Sequence, residues 1–226
     1  MEVNMFDRNS EDFLWYVNFG ITKAQASADK NAALEKCINI AYEDSCRHID
    51  YLHSVSELDA MKKNSDCDAA EKFENYKTNF KTKCISIIKN CIQELLSNDN
   101  IDYDKWHRSL CTGEDAPDLR LNDIPPGLFN NDVGLTIGQR QKWVNMSIKN
   151  ILVMGLWDNE LLRYKDKIHV PIDDRIQAKA KSEGIETVLP AWNNINDYED
   201  YLRFQVELRE KVKTPPIIWE WDEWVK

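Results

Sequence analysis

Apolar side chains recur every three or four residues along most of this chain, and no stretch alternates apolar and polar residues over the length of a typical strand. The longest apolar stripe comprises Phe73, Tyr76, Phe80, Cys84, Ile87, Ile88, Cys91 and Leu95. Only seven glycines and seven prolines stand in 226 residues, so few positions interrupt such helices. The sequence therefore predicts an all-α protein, built as a multi-helix orthogonal array.

A loop-like stretch divides the predicted helices into two groups. It runs from Thr112 to Asn131 and contains Pro117 and Pro125-Pro126-Gly127, residue types that favour turns over helices. We therefore predict two helical subdomains, an acidic N-terminal region (1–125) and a second helical region (126–226).

Charge is spread unevenly along the chain. The net charge of −10 makes indiscriminate binding to nucleic acid or anionic membranes unfavourable, because phosphate repels such a surface. Residues 1–130 hold 15 basic and 23 acidic side chains, whereas residues 138–181 hold nine basic and five acidic ones. A surface that faces DNA phosphates is expected only in the second segment. The acidic N-terminal half is instead a candidate surface for a protein partner.

The cysteines and the first residues favour a cytoplasmic protein. Met1-Glu2-Val3-Asn4 lacks the basic and apolar parts of a secretory signal, and no apolar run is long enough to span a bilayer. No CxxC pair or zinc-finger spacing occurs among Cys37, Cys46, Cys67, Cys84, Cys91 and Cys111. We predict buried, reduced thiols, with a disulfide or metal as the alternative, and no cofactor, metal or membrane association.

Thr136 is predicted to open a helix that runs to about Met154, before Gly155. Gln139 stands three residues after Thr136, the spacing of a capping box. The later turns are apolar on most sides, so this helix is expected to be central to the core. Lys142 would then lie at the edge of the core, where desolvation and the positive helix end favour a neutral, nucleophilic amine. The alternative is a surface lysine whose charge reaches water.

The segment Val170-Pro171-Ile172-Asp173 is predicted to be extended and to lead into the next helix. Backbone N–H groups at a helix start keep a carboxylate ionised, and Asp173 would then be able to stabilise a developing cation. An ordinary N-cap is the alternative role. If Asp174 caps the helix instead, Asp173 points inward.

These two elements together resemble the helix-hairpin-helix DNA glycosylase superfamily. In its bifunctional members a glycine-containing turn leads into a helix with a catalytic lysine, and a later apolar-Pro-Val-Asp segment delivers a catalytic aspartate. Here Gly138-Gln139-Arg140-Gln141-Lys142 and Val170-Pro171-Ile172-Asp173 match that order, with a spacing most similar to the archaeal 8-oxoguanine branch. The resemblance covers about residues 130–185. The usual Leu-Pro-Gly-Val-Gly hairpin is absent, and Leu135-Thr136-Ile137-Gly138 stands in its place.

The resemblance implies a DNA repair enzyme that excises a modified base, such as 8-oxoguanine, and cleaves the strand as a lyase. Lys142 would be the nucleophile and Asp173 the catalytic carboxylate. The residues expected to contact the substrate are Gln139, Gln141, Trp143, Asn145, His169 and Asp174. The residues expected at the DNA backbone are Gly138, Arg140 and Arg175.

Each of these polar residues also has a purely structural interpretation. Gln139, Gln141 and Asn145 would then bond neighbouring backbone groups, and His107 and His169 would be satisfied core histidines. Trp143 or Phe129 could stack on an extruded base, whereas the aromatic tail Trp219–Trp224 is expected to fold back onto the helices. The competing functional hypothesis is a non-catalytic helical module that binds DNA or protein.

Overall fold

The computed structural model describes residues 10–46, 49–63, 67–114, 127–130 and 134–225. Within these ranges the chain is mostly helical, and an isolated bridge between Tyr51 and Phe129 is the one β-type pairing. The eleven α-helices of the described residues are α1 Ser10–Phe19, α2 Lys23–Ala28, α3 Lys30–Cys46, α4 Val55–Lys63, α5 Cys67–Ser97, α6 Tyr103–Thr112, α7 Ile137–Met154, α8 Asp158–Leu162, α9 Asp174–Ser182, α10 Tyr198–Lys211 and α11 Pro216–Val225. The all-α prediction is confirmed.

Several helix boundaries form by the side-chain caps predicted from the sequence. The Thr136 hydroxyl accepts the Gln139 amide, and the Gln139 side chain accepts the Thr136 amide, which completes the capping box of α7. Gly155 ends α7 in the left-handed conformation, at φ 70°. A second capping box, between Thr22 and Gln25, opens α2. The first residues of these helices therefore have partners for amides that the helix itself leaves unpaired.

The sequence also predicts one long helix capped by Thr22 and a capping box of Asn196 with Glu199, and the structure contradicts both boundaries. The single long helix expected after Thr22 is broken at Asp29, whose side chain accepts the Ala32 amide and so helps to start α3 as a separate helix. The N-cap of α10 is Asp197 and not Asn196, because the Asp197 carboxylate accepts the amides of residues 199 and 200. A charged acceptor bonds helix amides more strongly than a neutral amide oxygen does.

The core is centred on α7, which packs along α3. Trp143 is buried between them, its indole N–H donates to the Ile38 carbonyl at 3.1 Å, and its ring lies 5.0 Å from that of Tyr42. These helices lie on opposite sides of residue 125, and their buried side chains belong to one apolar cluster. The predicted loop between them falls largely outside the described residues.

A close backbone contact fixes the N-terminal end of α7. The Gly138 amide donates to the Ile195 carbonyl at 2.9 Å, beside the 3₁₀ helix Trp192–Asn194. A Cβ at Gly138 would lie 1.7 Å from the Trp192 carbonyl oxygen, so no other residue fits without moving that backbone. This contact brings the Trp192 segment against the turn of α7 that carries Lys142.

The predicted state of the cysteines is confirmed in part. Cys37, Cys84, Cys91 and Cys111 are buried free thiols, and burial raises the pKa of the first three to about 12. Such thiols are inert, because the reactive species is the thiolate. Cys67 is free but exposed, so its predicted burial is wrong. The side chain of Cys46 lies outside the described residues.

Candidate functional site

Lys142 and Asp173 meet in an ion pair. Lys142 Nζ lies 2.7 Å from Asp173 Oδ2, although 31 residues separate the two in sequence. The other carboxylate oxygen, Oδ1, accepts the Ile176 amide at 2.9 Å, so Asp173 is also the N-cap of α9. The two side chains are 11% and 17% exposed, which leaves the pair desolvated but still reachable from outside. Both parts of the predicted pair therefore lie together.

The pair forms one end of a small cavity. The cavity has a volume of about 230 Å³ and is lined by Asp44, Lys142, Met146, Lys149, Asp173, Trp192, Glu220 and Trp224. Lys142 Nζ lies 5.6 Å from the centroid of the Trp192 ring. Sites for drug-sized ligands usually measure about 300–1,000 Å³, so this cavity is smaller than such a site.

A buried carboxylate forms another wall of the cavity. Glu220 is 1% exposed, and its Oε1 accepts a hydrogen bond from Lys149 Nζ at 2.6 Å. Its second oxygen, Oε2, is closed to solvent and has no hydrogen-bond partner among the described residues. Burial raises the pKa of Glu220, and this effect outweighs the opposing effects of Lys149 and of the Trp224 side chain. Glu220 therefore contributes a carboxylate to the cavity lining, but its second oxygen is not exposed there.

Helix α11 is held against this site by basic residues of α9. Arg175 Nη2 donates to the carbonyls of Glu223 and Trp224 at 3.2 and 3.1 Å, and its guanidinium lies 4.3 Å from the centroid of the Trp224 ring. Lys179 pairs with Glu223 at 3.1 Å. Trp219 is buried but Trp224 is 43% exposed, so the predicted folding back of the aromatic tail is confirmed only in part. Arg175, which was predicted to contact the DNA backbone, here binds the C-terminal end of α11.

Gln141, Asn145 and His169, predicted as substrate contacts, lie in a buried hydrogen-bond network with no exposed surface. Asn145 Nδ2 donates to Gln141 Oε1, to the Val170 carbonyl and to Tyr201 Oη at 3.0, 3.1 and 2.9 Å. These amides therefore hold the backbone of the segment that precedes Asp173. In the described structure none of the three reaches the cavity.

The carboxylate of Asp104 fixes the proton positions in this network. It can only accept, so His169 Nε2 donates to it at 2.8 Å, and His169 Nδ1 accepts from Tyr201 Oη at 2.8 Å. Asn145 Oδ1 in turn accepts from His107 Nε2 at 3.0 Å, and His107 Nδ1 accepts from Tyr198 Oη at 2.7 Å. Both histidines are neutral in this arrangement.

The remaining predicted contacts are also placed in the fold. The side chain of Gln139 belongs to the α7 capping box, and the Trp143 indole is part of the core. Arg140 is 5% exposed, and its Nη1 donates to the Cys111 carbonyl at 2.7 Å, so burial argues against a contact with the DNA backbone. The same holds for Gly138, whose amide is bonded to Ile195. Asp174 Oδ1 accepts the Trp192 amide at 3.5 Å.

The rest of the cavity lining is not recognisable from the sequence. Lys149, Trp192, Glu220 and Trp224 all line the cavity, but they come from three separate parts of the chain, namely α7, the 3₁₀ helix and α11. The aromatic tail was noted for its tryptophans, which pointed to packing. Nothing in the local sequence marks Glu220 as buried.

The buried histidines predict that the fold loses stability in mild acid. Burial lowers the pKa of His169 to about 4, from an ordinary value of 6.5, and also lowers that of His107. The unfolded chain therefore binds protons that the folded chain does not, so the free energy of unfolding falls as the pH drops from 6.5 towards 4. His169 alone accounts for about 3 kcal/mol at pH 4. Urea unfolding at successive pH values measures this slope, and a constant free energy between pH 6.5 and 4.5 would contradict neutral histidines.

Ionised Asp104 makes the free energy of unfolding fall further at still lower pH. Burial acts to raise its pKa, but the hydrogen bonds from Arg209 and His169 outweigh burial and hold that pKa well below its ordinary range. Two bonds from Arg209, of 2.8 and 2.5 Å, engage both carboxylate oxygens. The contribution of an ionised, paired carboxylate is present above the unfolded pKa and is lost as the pH falls below it.

Neither a metal-binding cluster nor a membrane-spanning helix is found in the part of the chain that the structure describes. No group of three or more His, Cys, Asp or Glu side chains is arranged to hold a metal ion there. None of the helices described has the length and apolar character needed to cross a bilayer.

Comparisons with known proteins add no family assignment. No protein-family model matches the sequence, and no curated protein or solved structure matches the chain. The functional conclusions therefore depend on the geometry of the site itself.

Proposed function

We propose that this protein is a DNA glycosylase that removes a modified base and uses Lys142 to form a Schiff base with the sugar. The observation that carries the proposal is the Lys142–Asp173 ion pair at one end of a small cavity with tryptophan walls. A nucleophile beside a proton-accepting group is the arrangement that covalent catalysis requires. A duplex base reaches such a cavity when it is extruded from the stack.

The ion pair supplies both the proton acceptor, Asp173, and the nucleophile, Lys142. Asp173 takes a proton from the Lys142 ammonium, and the free amine attacks C1′ of the sugar. The bond from C1′ to the base nitrogen breaks, and the base leaves with the electron pair and takes the proton that Asp173 holds. Asp173 is then a carboxylate again, and its negative charge stabilises the cationic sugar–lysine adduct. The opened sugar and the lysine then form an imine, from which loss of a C2′ proton breaks the C3′–O bond.

The walls of the cavity support a planar base as the leaving group. Trp192 and Trp224 offer aromatic surfaces, and base stacking on such surfaces contributes about 1–3 kcal/mol. The Glu220 carboxylate belongs to the cavity lining, but its Oε2 is closed to solvent, so the side chain would have to shift to accept a hydrogen bond from a bound base. After such a shift it would prefer 8-oxoguanine, which carries an N7–H donor where guanine has an acceptor. An oxidised purine is the substrate class we propose.

The proposed DNA contacts differ from those expected from the resemblance. Gly138, Arg140 and Arg175 are engaged within the fold, so phosphate contacts would have to come from other basic side chains of the segment 138–181. Lys165, Lys167 and Lys181 are exposed there. Exposed cations bind phosphates at little desolvation cost, and their contribution weakens with salt.

Borohydride trapping tests the lysine chemistry, because reduction of the imine leaves a stable covalent protein–DNA product. Duplex and single-stranded oligonucleotides with 8-oxoguanine, uracil, an abasic site or no lesion are the substrates. Lys142→Arg keeps the charge beside Asp173 but removes the primary amine, so we expect no adduct. Lys149→Arg makes the same change at the other lysine of the cavity, and we expect it still to form the adduct.

Two outcomes would count against the proposal or redirect it. An adduct that persists in Lys142→Arg and is lost in Lys149→Arg would transfer the nucleophilic role to Lys149. A folded wild-type protein that gives no adduct on any substrate would contradict the lysine mechanism. The acidic N-terminal half would then favour a non-catalytic module that binds a protein partner.

A further inference from the structure

Gln141 holds the residue that immediately precedes Asp173. Its Nε2 donates to the Ile172 carbonyl at 2.9 Å, and its Oε1 accepts the Ile172 amide at 3.1 Å. Gln141 is fully buried and stands directly before Lys142 on α7. The turn of helix that carries the proposed nucleophile therefore also holds the backbone that carries the proposed carboxylate.

The network behind Gln141 fixes which way its amide points. Gln141 Oε1 also accepts from Asn145 Nδ2 at 3.0 Å, while Asn145 Oδ1 accepts from His107 Nε2. A reversed Gln141 amide would place its NH₂ against two other N–H donors. Such a buried mismatch is costly, so one orientation is selected.

We propose that Gln141 is a positioning residue, whose two bonds to Ile172 set the place of the Asp173 carboxylate against Lys142 Nζ. The assignment rests on the proposed function, since positioning matters only if the pair reacts. Gln141 itself touches no substrate in this proposal, which replaces the base contact expected from the sequence. Its effect belongs to the chemical step and not to DNA binding.

The chain offers a closely matched control for this role. Gln205 clamps Val170 by the same two bonds, with its Oε1 accepting the Val170 amide at 3.1 Å and its Nε2 donating to the Val170 carbonyl at 2.9 Å. Gln205 is equally buried, but it holds a residue farther from Asp173 and lies on α10. If both glutamines served only to stabilise the fold, their substitutions would change the reaction rate to the same extent.

The experiment compares Gln141→Met with Gln205→Met, since methionine keeps the approximate side-chain shape and removes the amide. Single-turnover excision at saturating oligonucleotide measures the chemical step, and a titration of the same oligonucleotide measures affinity. Crystal structures of the wild type and both variants measure the distance from Lys142 Nζ to Asp173 Oδ2. Unfolding in urea shows whether each variant is folded under assay conditions.

We expect Gln141→Met to lower the single-turnover rate by about 10- to 100-fold, the usual cost of displacing a reacting group by about 1 Å. Its affinity for the oligonucleotide should stay within about twofold, and the Lys142–Asp173 distance should exceed the hydrogen-bonding limit of about 3.5 Å. Gln205→Met should lose stability similarly but keep both the rate and the short distance. Equal losses of rate in the two variants would overturn the proposal.

A second variant keeps the test decisive if Gln141→Met does not fold. In Gln141→Glu a protonated carboxyl can donate to the Ile172 carbonyl and accept its amide, whereas the ionised form has no donor. The rate of this variant, divided by that of the wild type, should therefore rise as the pH is lowered from 8 to 5.5. A ratio that does not change with pH would overturn the positioning role.

If the protein has no glycosylase activity, the same experiments give a different pattern of results. A wild-type protein without any trapped adduct removes the excision chemistry, and the crystallographic distance then decides the positioning claim by itself. Separation of Lys142 from Asp173 in Gln141→Met alone would support the clamp. An unchanged distance in that variant would overturn it.

Discussion

Asp173→Asn is expected to lower the single-turnover rate of base excision by about 10²- to 10⁴-fold, the range for loss of a positioned proton acceptor. The carboxylate is the group within hydrogen-bond distance of Lys142 Nζ, at 2.7 Å, that can take its proton. The substituted amide is neutral and accepts no proton, although it keeps the shape of the side chain. Asn also caps helices well, so α9 and its Ile176 contact should persist.

The measurement is single-turnover excision on an 8-oxoguanine duplex, with thermal unfolding recorded for each variant. Asp166→Asn is the matched control, because Asp166 is an exposed carboxylate that does not line the cavity. We expect this variant to remain within about threefold of the wild-type rate, since an exposed charge is well screened. Equal rates for Asp173→Asn and the wild type would remove Asp173 from the mechanism.

Lys149→Met is expected to lower the free energy of unfolding by about 3–5 kcal/mol, because it leaves the Glu220 carboxylate buried without its cation. Glu220→Gln should cost less, since Lys149 is 17% exposed and its ammonium can reach water. Burial already raises the pKa of Glu220, so the loss in Lys149→Met should shrink as the pH is lowered and the carboxyl protonates.

Urea unfolding of Lys149→Met, of Glu220→Leu and of the double variant Lys149→Met/Glu220→Leu measures this interaction. The double variant should recover much of the loss, because an apolar pair of similar volume often replaces a buried ion pair at little cost. Additive losses in the double variant would show that the two side chains are not coupled. That result would contradict the buried ion pair between Lys149 and Glu220.

The sequence predicts the elements that local chemistry determines. The Thr136–Gln139 capping box, the stop at Gly155 and the cap at Asp173 each depend on residues within a few positions of one another, and each is present. The encounter of Lys142 with Asp173 was expected only through the resemblance. Its geometry depends on buried amides that the sequence alone does not distinguish from surface ones.

The rest of the site depends on contacts between distant parts of the chain. Glu220 meets Lys149 across 71 residues, and no local pattern specifies that contact. Gln141 and Asn145 were recognised as polar groups on a buried helix, but whether they face backbone or ligand depends on the position of Val170 and Ile172. Such partners are set by the tertiary packing and not by helix periodicity.

The residues that line the cavity lie far apart in sequence, which affects when the site can form during folding. The cavity needs Asp44 of α3 and Trp224 of α11 together, with α7 and α9 between them. Contacts between such distant residues carry a large loop-closure entropy and form late in folding. During synthesis, Lys142 and Asp173 would leave the ribosome before the helix that completes their cavity. A partly made chain would therefore hold the proposed nucleophile and proton acceptor without the enclosure that we propose binds the base.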